Sequence, residues 1–453
     1  MLRSENPYTG ELMQEYNELT LDEIEKKVQI AHSAFNEWKK VPFSKRSELM
    51  KKCAAILRKN KDELAALITH EMGKVIRESA SEVEKSAWVC EYYAEHGEEF
   101  LFDQQLEVGS GRSKLVFDPL GPILGIMPWN FPFYQVFRFA PPTIMAGNVA
   151  LLKHASNVPG CALAIEEIFK EAGFPNGVFT TLLVRADAAG DLIADQRIQG
   201  VSLTGSVPAG MKVAEIAGRN IKKSVLELGG SDPFIVLKDS NITKAAEIAA
   251  NARMINCGQS CIAAKRFIVE EAVAHEFLEE FSKNIDKKNF GNPMEINTDY
   301  ASMASKELRR GLEKQVSDTL SAGARIYWKS NQLEHVNAFY NPTVLVDVRP
   351  GMPAYEEELF GPAATVFVVK DSEEAVQKAN DSSFGLGASI WSEDIEKAER
   401  IARQVESGII YINEMVASRP EIPFGGVKKS GFGRELSFLG IHEFVNQKTI
   451  WMP

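Results

Sequence analysis

The sequence predicts an α/β fold with two α/β domains of mainly parallel sheet and a small β arm set apart from them. Three observations carry this reading. From Gly121 onward short apolar runs alternate with helix-length segments, the order of parallel strands joined by crossover helices. The alternation resumes after Leu228, so a second α/β unit follows the first. Between a helical N-terminal region and Gly121, residues 102–118 alternate Leu106 and Val108, then Leu115 and Phe117, as a strand pair does.

Each element follows from local signals. Thr20-Leu21-Asp22-Glu23 reads as a capping box ahead of Ile24, Val28, Ala31, Phe35 and Trp38 at helical spacing. Further helices are predicted over 44–59, 61–71 and 79–98, separated by Pro42, Asn60 and Gly73. The first α/β unit has strands at 123–127, 149–152, 177–184, 198–203 and 224–228, with helices to about Ala146, over 159–172 and after Ser206. Strands of the second are 234–237, 266–270, 342–346, 364–369, 388–391 and 408–412. Parallel sheets take ligands outside the carboxyl ends of their strands, and Asn130, Lys153, Gly205 and Glu227 each fall at or beyond such an end. The last segment carries Phe438, Ile441, Phe444, Val445, Ile450 and Trp451, too apolar for a free tail; burial against a partner subunit is the economical account.

Composition narrows the function. The 453 residues, 45% apolar and 25% charged, can bury large cores in two or three domains. A net charge of −11 argues against a nucleic-acid partner. Nothing is apolar for long enough to span a bilayer, and Met1-Leu2-Arg3-Ser4-Glu5-Asn6 lacks a signal-peptide core, so a cytoplasmic protein with no membrane partner is expected. Five cysteines, at 53, 90, 161, 257 and 261, form no CxxC pair, and the count is odd; a disulfide framework is not expected. With seven scattered histidines, no metal site is expected either.

Two stretches carry chemistry. Asn256-Cys257-Gly258-Gln259-Ser260-Cys261 sets a cysteine in a polar, glycine-containing turn between a helix-like and a strand-like segment, making Cys261 the candidate nucleophile. In Leu226-Glu227-Leu228-Gly229-Gly230 a carboxylate ends an apolar run, a placement that suits a general base. No GxGxxG fingerprint is present. Gly205-Ser206-Val207-Pro208-Ala209-Gly210, where a strand ends at Thr204-Gly205 and a helix begins, offers free N–H groups to a pyrophosphate. Taken alone, the plainer account of these residues is a serine N-cap with proline in the first turn.

Together with Pro128-Trp129-Asn130-Phe131-Pro132, Leu203-Thr204-Gly205-Ser206, Glu358-Leu359-Phe360-Gly361-Pro362 and Pro423-Phe424-Gly425-Gly426-Val427-Lys428-Lys429-Ser430-Gly431, those stretches resemble the aldehyde dehydrogenase superfamily. Within it the text is most similar to the bacterial short-type succinate-semialdehyde dehydrogenases. The resemblance runs from Asn6-Pro7-Tyr8-Thr9-Gly10-Glu11 to the C-terminus. It implies an aldehyde dehydrogenase-like fold: a dinucleotide-binding domain over 1–101 and 120–228, a catalytic domain over 229–430, and an oligomerisation arm over 102–119 and 435–453 that builds a homo-dimer or homo-tetramer.

The implied roles follow residue by residue. Cys261 attacks an aldehyde, Asn130 and the Cys261 N–H hold the oxyanion, and Glu227 activates the water that hydrolyses the thioester. Trp129, Lys153, Ser156, Thr204, Gly205, Ser206, Gly229, Glu358 and Phe360 match cofactor contacts. Where family members commonly hold the NAD ribose with a glutamate, this chain has Ser156 beside Lys153, which points to NADP, with NAD also used. Taken without the family, Lys153 and Ser156 are a solvated strand end. Arg138 and Ser418 match contacts to a substrate carboxylate; the plainer account of Arg138 is pairing with an acidic residue. A second arginine of some relatives is Ile255 here, for which Arg253 is a candidate stand-in. His154 replaces the usual proline and Phe139 a lysine of a proposed proton path, so Glu435, the matching glutamate, is left out of the catalytic set. Cys257 is a redox partner of Cys261 or a packing thiol, with packing preferred. The expected reaction is oxidation of succinate semialdehyde to succinate. The alternatives are another aldehyde (glutarate semialdehyde, lactaldehyde or an aliphatic aldehyde) and a non-enzymatic member of the fold.

Overall fold

The computed structural model describes residues 1–107, 109, 111–331 and 337–453; Val108, named above, lies outside them. An N-terminal hairpin pairs β1 (Leu2–Glu5) with β2 (Leu12–Tyr16). The Thr20 capping box opens α1 (Leu21–Trp38), with both reciprocal hydrogen bonds made. Trp38 closes that helix against the interior, its indole N–H donating to the Ile144 carbonyl at 3.0 Å. Three helices follow, α2 (Phe43–Lys59), α3 (Lys61–Met72) and α4 (Ile76–Phe100), and then the strand pair β3 (Gln104–Leu106) and β4 (Arg112–Pro119).

The first α/β unit contains β5 (Pro122–Met127), α5 (Tyr134–Met145), β6 (Val149–His154), α6 (Pro159–Glu171), β7 (Phe179–Thr181), α7 (Ala189–Ala194), β8 (Gly200–Thr204), α8 (Val207–Arg219) and β9 (Lys223–Glu227). Its strands run parallel in the order β9-β8-β5-β6-β7. The second unit starts with β10 (Pro233–Val236), α9 (Ile242–Met254) and β11 (Arg266–Glu270), and continues through β12 (Arg325–Lys329), β13 (Thr343–Val346) and β14 (Ala363–Val369). A short antiparallel pair, β15 (Phe384–Gly385) with β18 (Val427–Lys428), brackets β16 (Gly387–Trp391) and β17 (Ile409–Ile412). The seven-stranded order is β12-β13-β14-β11-β10-β16-β17, parallel except for edge strand β12. Phe234, Val236, Phe267 and Val269 pack on one face and Ile235 and Ile268 on the other. With both faces covered, these strands read as unbroken apolar runs.

Strand prediction holds within two residues except at 177–184, where only Phe179–Thr181 joins the ladder. β12 escaped notice because its Arg-Ile-Tyr-Trp-Lys stretch is an exposed edge. The chain then returns: β19 (Gly431–Phe432) pairs antiparallel with β9, and β20 (Val445–Met452) pairs along β4 to complete a three-stranded arm. The expectation for the tail needs correction, since Ile441, Phe444 and Val445 are buried within this chain. Phe444 meets Phe139 edge-on, and its carbonyl accepts from Asn148 Nδ2. Phe438, Ile450 and Trp451 remain exposed apolar surface. Among the described residues no helix is long and apolar enough to cross a membrane.

Candidate active site

The strand order fixes where ligands can enter. The chain lays β6 and β7 to one side of β5 and then β8 and β9 to the other, so the connections leaving β5 and β8 diverge and open a crevice. The Trp129-Asn130 turn leaves β5 there and α8 leaves β8. β8 and β9 are in register so that Thr204 pairs with Glu227. Residues 228–232 then carry the chain to the amino end of β10, beside which the turn over 256–261 enters β11. Cys261 thus sits at an amino edge of the second sheet, brought against the carboxyl edge of the first. The crossing requires its glycines: a Cβ on Gly230 would fall 2.6 Å from the Cys261 carbonyl oxygen, and one on Gly229 2.4 Å from Glu358 Oε2.

The turn over 256–261 is held by its own motif. Asn256 and Cys257 take left-handed backbone angles, φ 51° and 53°, at a cost of about 1–2 kcal/mol each. Hydrogen bonds offset this. Asn256 Nδ2 donates to the Asn130 carbonyl at 2.7 Å and to the Gln259 carbonyl at 3.1 Å, and Asn130 Nδ2 donates to the same Gln259 oxygen at 3.1 Å. Gln259 Oε1 accepts from Ala304 N–H. Lys265, which sequence reasoning missed, donates to the carbonyls of Ser260, Cys261 and Ala263 at 2.9–3.0 Å and ion-pairs with Glu358 at 3.2 Å. Arg253 Nη2 donates to the Gly258 carbonyl at 2.6 Å, so this arginine also braces the turn. Cys257 is buried and free, its thiol donating to the Ala301 carbonyl, while burial pushes it up to about 12. That is the packing reading.

The Asn130 side of the cleft is anchored from below. α5 begins at Phe133 without a side-chain cap of its own. Buried Glu82 on α4 supplies it, accepting from Phe133 and Tyr134 N–H at 2.8 and 3.1 Å while ion-paired with buried Lys74. His154, which replaces a proline, ties β6 to the same turn: Nδ1 accepts from Ala155 N–H, so Nε2 carries the proton it donates to the Pro132 carbonyl at 2.8 Å. Burial pushes its pKa down to about 4, and the ring is neutral.

Three buried ionisable groups, Arg138, Glu435 and Glu227, lie within electrostatic reach of one another near Cys261. Arg138 Nη2 stands 2.8 Å from Glu435 Oε2, an ion pair without hydrogen-bond alignment, so the plainer account of Arg138 is correct as far as pairing goes. Its guanidinium is also within electrostatic reach of Glu227 and Cys261. Both Glu227 oxygens are buried without a hydrogen-bond partner among the described residues. Burial first, and the Glu435 charge second, hold the Glu227 carboxyl well above the usual range, while Arg138 and Arg434 draw it down. Burial likewise pushes the Cys261 thiol up to about 12, against the pull of Arg138 and Lys265. Glu435 therefore belongs to the site although it was set aside; the glutamate match was its only signal, and Phe139, in the lysine's place, lies in the core against Phe444.

The remaining predicted residues divide in two. Glu358 Oε1 accepts from Gly230 N–H at 3.1 Å, and Phe360 meets Trp129 edge-to-face at 5.8 Å, both beside the turn over 256–261. Farther along the crevice, Ser206 caps α8 by position without a side-chain bond, and the Thr204 hydroxyl is buried without a partner among the described residues. The simple N-cap account of Ser206 thus holds in position, with proline in the first turn, but the capping hydrogen bond is not made. Lys153 is buried on β6 with no ion-pair partner among the described residues, its pKa lowered by burial, and Ser156 is exposed just beyond. Free first-turn N–H groups, an orphaned hydroxyl and an unpaired lysine fit the phosphates of a dinucleotide. Ser418 is buried, its hydroxyl 2.8 Å from that of Tyr134. Among the described residues no cluster could hold a metal ion.

Known proteins similar to this chain in sequence and in fold are numerous. The model of the "Aldehyde dehydrogenase family" matches residues 1–450. A probable succinate-semialdehyde dehydrogenase [NADP(+)] of Synechocystis sp. is 49% identical over 99% of this chain and 98% of its own length. The succinate semialdehyde dehydrogenase [NAD(P)+] Sad of Escherichia coli K12 is 45% identical over 98% and 96%. The crystal structure of a Streptococcus pyogenes succinic semialdehyde dehydrogenase with NADP+ superposes with a TM-score of 0.98 at 37% identity, covering both chains completely. Family model, full-length relatives and fold agree, and the chain belongs to the aldehyde dehydrogenase family.

Proposed function

We propose that this enzyme oxidises succinate semialdehyde to succinate, with NADP preferred and NAD also used. The observation that carries the carboxylate reading is Arg138, a buried guanidinium within electrostatic reach of Cys261, with the Ser418–Tyr134 hydroxyl pair beside it and an Nε without a hydrogen-bond partner among the described residues. The names of the relatives support the same substrate and cofactor. One observation favours the rival, a general aliphatic aldehyde: Glu435 already neutralises Arg138.

In this reading Cys261 attacks the aldehyde carbon as thiolate, aided by the positive charges of Arg138 and Lys265. Asn130 Nδ2, with one hydrogen on Gln259, has its second for the oxyanion, and the Cys261 N–H supplies the other donor. Lys153, Ser156, Thr204, Gly205 and Ser206 would hold the adenosine and phosphates, with Trp129, Gly229, Glu358 and Phe360 around the nicotinamide half, which supplies the hydride acceptor when bound. Glu227 then takes a proton from water as that water attacks the Cys261 thioester, releasing the acid. Residues 1–101 and 120–228 form the cofactor half in this proposal and 229–430 the catalytic half. The arm over 102–119 and 435–453 joins copies into a cytoplasmic dimer or tetramer through Phe438, Ile450 and Trp451.

The test is initial rate with succinate semialdehyde, glutarate semialdehyde and butanal, each with NAD and with NADP. A kcat/KM for succinate semialdehyde at least about tenfold above butanal is expected, the scale of one charge-assisted contact. Equal rates would leave a general aldehyde dehydrogenase. For the cofactor, Ser156→Glu places a carboxylate where a 2′-phosphate would lie and should move the NADP to NAD preference at least about tenfold toward NAD. An unchanged ratio measured by cofactor titration would refute Ser156 as the selector.

A further inference from the structure

A cavity of about 470 Å³ lies beside the catalytic centre, walled by Phe131, Tyr134, Ile255 and the face of α4 that carries Glu78, Ser81, Glu82 and Lys85. Phe131 adjoins Asn130, and Ile255 opens the turn that ends in Cys261. Most charges on this wall are engaged. Arg77 pairs with Asp299 at 2.6 Å, Glu82 with Lys74, Glu78 accepts from Asn256 N–H at 2.9 Å, and Lys288 donates to Asn251 Oδ1 at 2.7 Å. Lys85 differs: it is half-buried, and among the described residues it has neither an ion pair nor a hydrogen bond. Its ammonium lies 4.5 Å from the centre of the Tyr134 ring, and the Arg138 guanidinium approaches the same ring at 5.8 Å.

Resting on the carboxylated-aldehyde reading above, we propose that Lys85 is a specificity-determining residue, which draws the substrate's distal carboxylate into this cavity toward Tyr134, the wall residue that Arg138 and Ser418 contact. The need for it follows from charge. Arg138 and Glu435 together are close to neutral, so an entering carboxylate gains little net attraction from that pair. Lys85 supplies a positive charge on the same ring that has no ion-pair partner among the described residues, and the hydrogen-bonded Tyr134–Ser418 hydroxyls leave one O–H donor beside it. A site with this ammonium, a shared guanidinium and one hydroxyl donor suits a carboxylate and gives a methyl terminus nothing.

The same residue gives the selectivity a pH dependence. Burial, and next the Arg138 charge, bring Lys85 down to about 8; Glu82 opposes them, and Arg419 and Lys74 add to the lowering. Arg58, Lys61 and Glu84 line the hollow on its outer side. As pH rises through about 8 the ammonium loses its proton and its hold on a carboxylate. Effects on Cys261 and Glu227 are common to all substrates and cancel in a ratio.

The experiment is kcat/KM for succinate semialdehyde and butanal, from about pH 7 to about pH 9.5, on wild type, Lys85→Met and Lys85→Arg. Lys85→Met should lower the succinate semialdehyde to butanal ratio about tenfold, chiefly through KM, and flatten its fall with pH. Lys85→Arg should keep the ratio and remove the fall. If wild type prefers succinate semialdehyde and Lys85→Met retains the full ratio, or loses both substrates equally, Lys85 has no such role. A wild type without that preference would overturn the substrate reading itself, and this proposal with it.

Discussion

Replacing Cys261 with alanine removes aldehyde-dependent reduction of the cofactor, by at least about 10⁴-fold in kcat, the scale seen when a covalent nucleophile is deleted. The turn offers no substitute. Cys257 is buried with its thiol on the Ala301 carbonyl, and its pKa is pushed up to about 12. Nor should the turn collapse, because Asn256, Gln259, Arg253 and Lys265 brace it through backbone carbonyls and none of those bonds uses the Cys261 side chain. The lost sulfur costs about 1 kcal/mol of buried contact. Circular dichroism and binding of NADP by fluorescence should therefore match wild type while turnover vanishes. Retained turnover in a folded variant would exclude covalent catalysis at this residue.

The central strands of both sheets were legible in the sequence because they are buried on two faces, so apolar runs such as 234–237 and 266–270 need no partner to be recognised, whereas the exposed edge strand β12 was not. Cys261, Glu227 and Asn130 stood out through motifs, and in the structure Asn256 and Gln259 of the first motif bind the turn itself and Asn130. What stayed hidden depends on contacts between distant segments. Lys85, within Ser81-Glu82-Val83-Glu84-Lys85, reads as part of a solvated helix face; only folding α4 against α5 turns it toward Tyr134. Lys265 beside Arg266 reads as a surface pair, yet it is buried under three carbonyls. Arg138 was noticed for its type, but its partner Glu435 arrives on a segment after the last strand of the second sheet, which no local pattern predicts.

That partnership governs the second large effect. Glu227→Gln should give a burst of reduced cofactor close to one per active site, then steady turnover lowered on the order of 10²- to 10⁴-fold, because water loses its base after the thioester has formed. Equal loss of burst and turnover would place Glu227 before hydride transfer. The wild-type enzyme should also show a steady-state rate that climbs with pH above the ordinary carboxylate range, since burial and Glu435 hold the Glu227 carboxyl protonated. Removing the Glu435 charge with Glu435→Gln takes away a repelling anion and frees Arg138 to face Glu227, and both changes favour the ionised base. The acid limb of the pH profile should then move to lower pH. Arg138→Leu removes the attracting cation and should move the limb upward, although it also weakens carboxylate binding; butanal as substrate separates the two. Opposite shifts from the two halves of one ion pair are the signature of a charge that tunes Glu227 across the cleft, whereas a purely structural pair would lower the rate at every pH and leave the limb where it was.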